Sequence, residues 1–329
     1  MGEPALTADQ AAVLILNELL AVKATETVAI VTDPASTAEM VMALTNVLQG
    51  RDIEYSILAQ PNRTPDRKND LNPSIAAALG AVDVMVALTK TSGAPIYSVR
   101  IKELIDAKSI RFMSMVMRDM DIFTKGGATA DYRALHADGV KLKEIWSNGR
   151  VMRITSAAGT DISAPIAHDD VLVECGYATQ PGTSAAFSDG EVSSRPLEGT
   201  ANGVFVIDGP GAVIGTPDTP IALHVTDGRV TAIDGTCPQA DHLRQILDTV
   251  ENADNIAEFG IGLNPACRRN GKFEEEKKRR GQVHIAIGDN IIYGGTTHSA
   301  VHLDLVLRDP TVTLDGQVIV DQGHVKLDQ

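Results

Sequence analysis

The chain is poor in the features that announce several common protein classes. It has only three cysteines, Cys175, Cys237 and Cys267, an odd count with no CxxC spacing. That argues against a disulfide framework and against a cysteine-rich zinc site, and leaves small buried thiols in a reducing compartment. Basic residues are outnumbered, 29 against 43 acidic ones, for a formal net charge of −14. Such a balance disfavours nonspecific binding to nucleic acid or to an anionic membrane surface. The apolar run from Ala11 to Val22 is interrupted by Asn17 and Glu18 and is too short to span a bilayer. The amino end carries Glu3 and Asp9 and lacks the basic stretch of a secretory signal, so the expected compartment is the cytoplasm. There is no repeat or low-complexity tract. A GxGxxG after a strand, a Walker loop and a GxSxG motif are all missing, which removes local support for nucleotide binding and for a serine hydrolase.

What is present is enough apolar sequence, 43% of 329 residues, to bury a sizeable core, and a length that suggests two domains. Residues 8–22 have helical spacing of apolar positions, with Thr7 placed to cap the start. TVAIVTD (27–33), EYSILAQ (54–60), VDVMVALT (82–89) and IRFMSMV (110–116) read as strands, the third buried on both faces. Between them, STAEMVMALTNVLQGRD, IAAALGA and IKELIDAK read as helices. Strands alternating with helices predict a parallel α/β domain over residues 1–148. From 149 to 329 the texture changes to β-rich runs punctuated by Asp-Gly and Gly-Pro turns, with one clear helix, ADHLRQILDTVENA (240–253). The expected architecture is α/β and α+β: a parallel α/β domain packed on a mainly antiparallel, β-rich domain.

The chemistry concentrates in the last 75 residues. His302 and Asp304, in VHLDLVL, are two apart and on a strand face the same side. His284 lies in another strand-like run, QVHIAIG, and Glu258 in a third, AEFGIG. Gly294 and Gly295 allow a tight turn or a close backbone approach. Two imidazoles and two carboxylates suit a divalent transition metal, Zn, Mn, Co or Fe, which would polarise a carbonyl or generate hydroxide near neutral pH.

AEFGIGLNP, GQVHIAIGDN, the Gly-Gly pair, HLD and the PTVTLDGQVIVDQG ending, in that order, resemble one superfamily. It holds the metallo-aminopeptidases of the aminopeptidase T type and the 2,5-dihydroxypyridine dioxygenases. GATADY, ITSAAGTDI, LEGTANG and DGRV extend the resemblance over most of the chain. The aminopeptidase pattern implies a two-metal site with two glutamates, a histidine followed seven residues on by a tyrosine, and HxD. Glu258, His284, His302 and Asp304 match; the tyrosine position falls on Ile291, and the first glutamate would fall near Asp218 and Thr219, where a second metal could still be held by Asp218. The dioxygenase pattern implies one iron held by two histidines and an aspartate. Its HxD matches His302 and Asp304, and VECGYATQPG (173–182) resembles its flanking sequence. Its first histidine, however, aligns with Glu258, another would fall near Gly93, and His284 has no ligand counterpart there.

On this balance the expected function is a metal-dependent hydrolase of an amide bond in a short peptide or a small cyclic or aryl amide. The alternatives are an Fe(II) dioxygenase opening an N-heterocyclic ring and a non-catalytic metal-stabilised binding protein. Glu174 and Glu198 are candidate proton shuttles, and His298 a candidate acid/base or supporting group. Lys90, beside Thr89 at the carboxyl end of a predicted parallel strand, is a candidate substrate contact. FEEEKKRRGQ (273–282) reads as a solvated charged segment without a catalytic role, and Trp146 as packing. The resemblance implies a homo-oligomer; nucleic-acid and membrane partners are not expected.

Overall fold

In the computed structural model, residues 3–63, 70–90, 98–116 and 119–327 are described. They fall into two compact units, Met1–Thr129 with Cys175–Asp189, and Ala130–Glu174 with Gly190–Gln329.

The first unit follows from its sequence periodicity. Continuous β-branched and apolar runs become the strands Val28–Thr32, Tyr55–Ala59, Val84–Leu88 and Arg111–Ser114, all mutually parallel. Val84–Leu88 is buried along its whole length, as a strand covered on both faces must be. The late segment Ser184–Ala186 adds a fifth parallel strand beside Arg111–Ser114, which local periodicity does not announce. Thr7 caps the first helix in a capping box with Gln10, and that helix runs on through a π-helical turn, Leu14–Leu19. Helices Pro73–Ala78 and Val99–Asp106 bring Ile75, Ile101 and Leu104 into a core with Val31, Met85 and Phe112. Arg111 is buried at the start of its strand; its guanidinium donates to both oxygens of Glu26, at 2.9 and 2.8 Å, and to the carbonyl of Leu20.

The second unit opens with the helix Tyr132–Asn148, which the reading of the sequence did not isolate. Gly139 in its middle weakens the helical signal, although Leu135, Gly139, Leu142 and Trp146 keep one buried stripe. Asp131 caps it by accepting the N–H groups of Arg133 and Ala134. Trp146 is fully buried, in keeping with packing. Two antiparallel sheets follow, one of eight strands and one of five. Two of the Asp-Gly pairs turn as predicted: Asp227–Gly228 and Asp315–Gly316 both have positive φ at both residues, as a two-residue hairpin turn of this hand requires. The five-stranded sheet runs His302–Leu307, Val283–Gly288, Ile256–Gly262, Glu191–Ser194, Leu172–Glu174, all neighbours antiparallel. The outer edge of His302–Leu307 is covered by the 209–212 segment, whose backbone bonds to the carbonyls of Asp304 and Val306. All three cysteines are buried, and none forms a disulfide among the described residues. Among the described residues no helix is long and apolar enough to cross a membrane.

Removing one partner of the buried Arg111–Glu26 pair strands a charge. We expect Glu26→Ala to lower unfolding stability by about 3–5 kcal/mol in urea denaturation; a loss below about 1 kcal/mol would show that Arg111 finds water or another acceptor.

Candidate metal centre

The five-stranded sheet has two unlike faces. Phe259, Ile261, Val283, Ile285, Leu303, Leu305 and Leu307 share one register set and make an apolar face. The alternate set holds Glu191, Ser193, Glu258, Gly260, Gly262, His284, Ala286, Gly288, His302 and Asp304. Counted from Ile256, at the start of its strand, alternation alone would not put Glu258 in that set. At the start of its strand Ile256 pairs with Ile287, on the apolar side, and two residues on Glu258 would follow it there. The register shifts by one between Ile256 and Glu258, so Glu258 pairs with Ala286 instead. This bulge turns the carboxylate to the face of His284 and Asp304.

On that face the donors converge. His302 Nε2 lies 3.0 Å from Glu258 Oε2 and 3.1 Å from Asp304 Oδ1. His284 Nε2 lies 3.2 Å from Glu258 Oε1 and 3.6 Å from Glu191 Oε2. Two triads result, Glu258–His302–Asp304 and Glu191–Glu258–His284, with Glu258 common to both. All five residues are buried or nearly so. Gly260 makes the floor: a Cβ there would run into the imidazole of His284. The spacing of the first triad suits a cation, since donors bound at about 2.1 Å sit about 3.0–3.4 Å apart in octahedral or tetrahedral arrangement. The His302 ring is also set for it: Nδ1 donates to the carbonyl of Asp289 at 2.7 Å, which leaves the lone pair on Nε2. Tyr293 stacks on the same ring, with centroids 5.6 Å apart.

The charged run 273–282 is not solvated, a correction to its reading from sequence. Glu275 and Glu276 are fully buried; Arg268 and Asn270 hold the first and Arg308 the second. The segment then lies flat on the sheet over Gly262, where a Cβ would meet the backbone of Lys277, Lys278 and Arg279. It delivers two ammonium groups: Lys277 Nζ is 2.9 Å from Asp304 Oδ2, and Lys278 Nζ is 2.6 Å from Glu191 Oε1. Its adjoining acidic and basic blocks conceal this, because buried ion pairs and solvated ones look alike in sequence. Glu191 was also missed. The further carboxylate at the site is this residue, whereas Asp218 is exposed and its N–H donates to Gln239. The available signal was Glu191 opening a short strand, EVSS, after a glycine turn.

The electrostatics follow from this crowding. Burial pushes Glu191, Glu258 and Asp304 up, yet all three stay below the ordinary carboxylate range. Lys277 and Lys278 do this for Glu191, the two imidazoles for Glu258, and Lys277 with His302 for Asp304. Burial disfavours charge on His284, but Glu191 and Glu258 raise it above the usual imidazole value, so it holds a proton more tightly.

The other candidates lie as follows. Glu174 pairs in register with Glu191 and accepts from Ser193 Oγ at 3.4 Å. Glu198 accepts from the backbone and hydroxyls of Thr296 and Thr297 and from Asn290, and so anchors the loop before His302. His298 is largely exposed, with Nδ1 2.8 Å from Asp289. Lys90 belongs to the first unit and is exposed; its N–H donates to Asp33, and Thr89 before it is buried. The position near Gly93 is outside the described residues.

A buried two-histidine, three-carboxylate set on such a sheet marks the metal-dependent class that the sequence resembles. Residues 14–327 match the NicX family, 2,5-dihydroxypyridine 5,6-dioxygenase, and the chain belongs to that family. A 2,5-dihydroxypyridine 5,6-dioxygenase of Pseudomonas putida KT2440 is 27% identical over 190 residues, 54% of this chain and 54% of that protein, so the match spans about half of the relative's length. The solved structure of a 2,5-dihydroxypyridine dioxygenase from Pseudomonas putida KT2440 superposes with a TM-score of 0.78 at 21% identity, covering 98% of each chain. Wild-type AmpT from Thermus thermophilus superposes at 0.67 with 15% identity, covering 97% of this chain and 98% of that one. At such identities the two structures show the fold. They agree with the mixed architecture expected from sequence, a parallel sheet and antiparallel sheets in one chain.

These findings overturn the expected amide hydrolase, and with it the short-peptide or amide substrate. The family and the curated relative both carry the dioxygenase name that the sequence reading had placed second. The departures at Glu258 and near Gly93, set against one flanking likeness at 173–182, are outweighed by a family match that runs from residue 14 to 327. A divalent transition metal is the cofactor that both the family and the donor set call for.

Two measurements test this geometry. Gly260→Ala drives a methyl into the His284 ring, and we expect divalent-metal affinity to fall about 10–100-fold while far-ultraviolet circular dichroism is retained; unchanged affinity would remove His284 from the centre. Glu198 is raised by burial but lowered more by the hydrogen bonds of Thr296, Asn290 and Thr297, to about 2. Its depressed value means a contribution complete above the ordinary glutamate range and lost as pH falls toward about 2. The melting-temperature gap between wild type and Glu198→Gln should therefore be widest near pH 6 and close on acidification. A gap that is flat with pH would mean the amide replaces the carboxylate fully.

Proposed function

We propose that this chain is a non-haem iron(II) dioxygenase that opens an electron-rich N-heterocyclic ring of the dihydroxypyridine kind. The observation that carries the reading is the Glu258–His302–Asp304 triad, in a chain matched from 14 to 327 by the dioxygenase family. These three residues would hold the iron. When bound, it supplies a Lewis-acidic position for a ring oxygen and one for O₂.

The chain's own groups set the terms of that chemistry. Glu258 stands where the resemblance puts a dioxygenase histidine, so the triad is one imidazole and two carboxylates. The extra anionic donor enriches the metal in electrons. Lys277, 2.9 Å from Asp304 Oδ2, offsets part of that charge without using the oxygen that faces His302. His284 Nε2, beside Glu258 Oε1, is the nearest ring nitrogen to the triad with a raised affinity for a proton. In this reading it would exchange the proton that a ring hydroxyl must shed to bind as an oxyanion. Ring opening balances without a further reductant. One ring C–C bond breaks and both atoms of O₂ enter the product: the hydroxyl-bearing carbon becomes a carboxylate, and its neighbour, still bonded to the ring nitrogen, becomes a formyl group on that nitrogen. The substrate supplies all the electrons.

The test is oxygen uptake by iron-loaded protein given a panel of dihydroxypyridines and related hydroxylated N-heterocycles. We expect one O₂ consumed per ring, both atoms of labelled O₂ in the product, no need for added reductant, and a fall of about 100-fold or more in His302→Ala. Folded, iron-loaded protein that consumes no oxygen with any of these rings would sink the reading.

A further inference from the structure

The two triads that share Glu258 are geometrically similar but not equally furnished. In the Glu258–His302–Asp304 half, His302 has its distal nitrogen fixed by the Asp289 carbonyl, as a metal-binding imidazole ordinarily does. In the Glu191–Glu258–His284 half, the distal nitrogen of His284 is buried with no hydrogen-bond partner among the described residues. That half already contains a cation. Lys278 Nζ stands 2.6 Å from Glu191 Oε1, and Lys277 Nζ lies 4.0 Å from the same oxygen. Lys278 is brought there by backbone, not by a loose side chain alone. Its carbonyl accepts the N–H of Asn264, and its segment rests on Gly262.

Charge counting decides what this implies. Three carboxylates and two ammonium groups leave one net negative charge if both imidazoles are neutral. One divalent ion brings the cluster to one positive charge. A second would bring it to three in a buried site, and at an effective dielectric constant of about 20 each added like-charge pair about 4 Å apart costs about 4 kcal/mol. We propose that the Glu191–Glu258–His284 half is a cation site filled by the chain's own Lys278, and that removing this ammonium group opens a second divalent-metal site. The proposal rests on the reading that the first triad takes a metal. It does not depend on which reaction that metal serves.

The test is metal stoichiometry of the purified full chain by plasma mass spectrometry after loading with Mn²⁺, together with the electron paramagnetic resonance of the bound ions. Wild type is expected to hold about one ion per chain and Lys278→Met about two, the second binding through carboxylates and imidazole. The paired ions should show a spin-coupled spectrum that the wild type lacks. Lys278→Arg, which keeps the cation, should stay at about one, and Lys278→Met combined with Glu191→Gln should return to about one. Two ions in wild type, or one in a folded Lys278→Met chain, would overturn the proposal. If Lys278→Met folds poorly, restoration of its melting temperature by Mn²⁺ beyond the wild-type shift supports the second site, and no such excess overturns it. Failure of the dioxygenase reading looks different: the ion counts would hold as stated while no ring compound drives oxygen uptake.

Discussion

Three carboxylates brought together in a protein interior repel one another, and the second unit is arranged around the cations that make their closeness tolerable. Glu191, Glu258 and Asp304 lie on neighbouring strands with their side chains on one face. Cations beside them keep them ionised: Lys277 and Lys278 at Glu191, the imidazoles at Glu258, and Lys277 with His302 at Asp304. Buried ion pairs of this kind contribute little net stability, because desolvation cancels most of the attraction. What they secure is geometry. Breaking any one leaves a charge with nowhere to go, so the arrangement tolerates few alternatives and the donor atoms stay where a metal needs them.

That geometry depends on two backbone devices. The bulge between Ile256 and Glu258 shifts the register by one, so that Glu258, and Gly260 and Gly262 after it, fall on the polar side. Glycines at 260 and 262 then keep the polar face low. Gly260 leaves room for the His284 ring, and Gly262 lets the backbone of 277–279 lie directly on the sheet. Neither glycine has a positive φ, so both are required for space, not for conformation. The lysine segment is itself pinned by its fully buried glutamates, through Arg268 to Glu275 and Arg308 to Glu276. A run of charges thereby becomes part of the interior.

Much of the fold was legible because it is written in local periodicity. Four parallel strands, their helices, the capping box at Thr7 and the hairpin turns at Asp227–Gly228 and Asp315–Gly316 all follow from patterns within a few residues. The helix Tyr132–Asn148 was not, since Gly139 interrupts the signal while tertiary packing of Leu142 and Trp146 sustains the helix. Ser184–Ala186 was not, since three small residues carry no strand signature and gain it only by pairing with a distant edge. At the site, His302 and Asp304 announce themselves as HxD on one strand. Glu191, Lys277 and Lys278 do not, because they reach the centre from other segments and each looks like an ordinary surface charge in isolation. Glu258 stands out in the run AEFGIG, but the register shift between Ile256 and Glu258 that sets its facing is not written in that run.

The same distinction explains why hydrolysis was preferred from sequence and dioxygenase membership emerged from comparison. The reading of the sequence weighed single positions, and at 258 this chain departs from the dioxygenase pattern. Family membership weighs the ordered whole, residues 14–327. Because the backbone fixes where a side chain at 258 points, either an imidazole or a carboxylate placed there would reach the same centre. A change of donor at that position alters the charge on the metal without altering the scaffold. The scaffold must then answer the charge, and in this chain Lys277 beside Asp304 and Lys278 beside Glu191 are the groups that do so. The carboxylate at Glu258 is therefore best understood together with the two lysines, as one distribution of charge on a single face of the sheet.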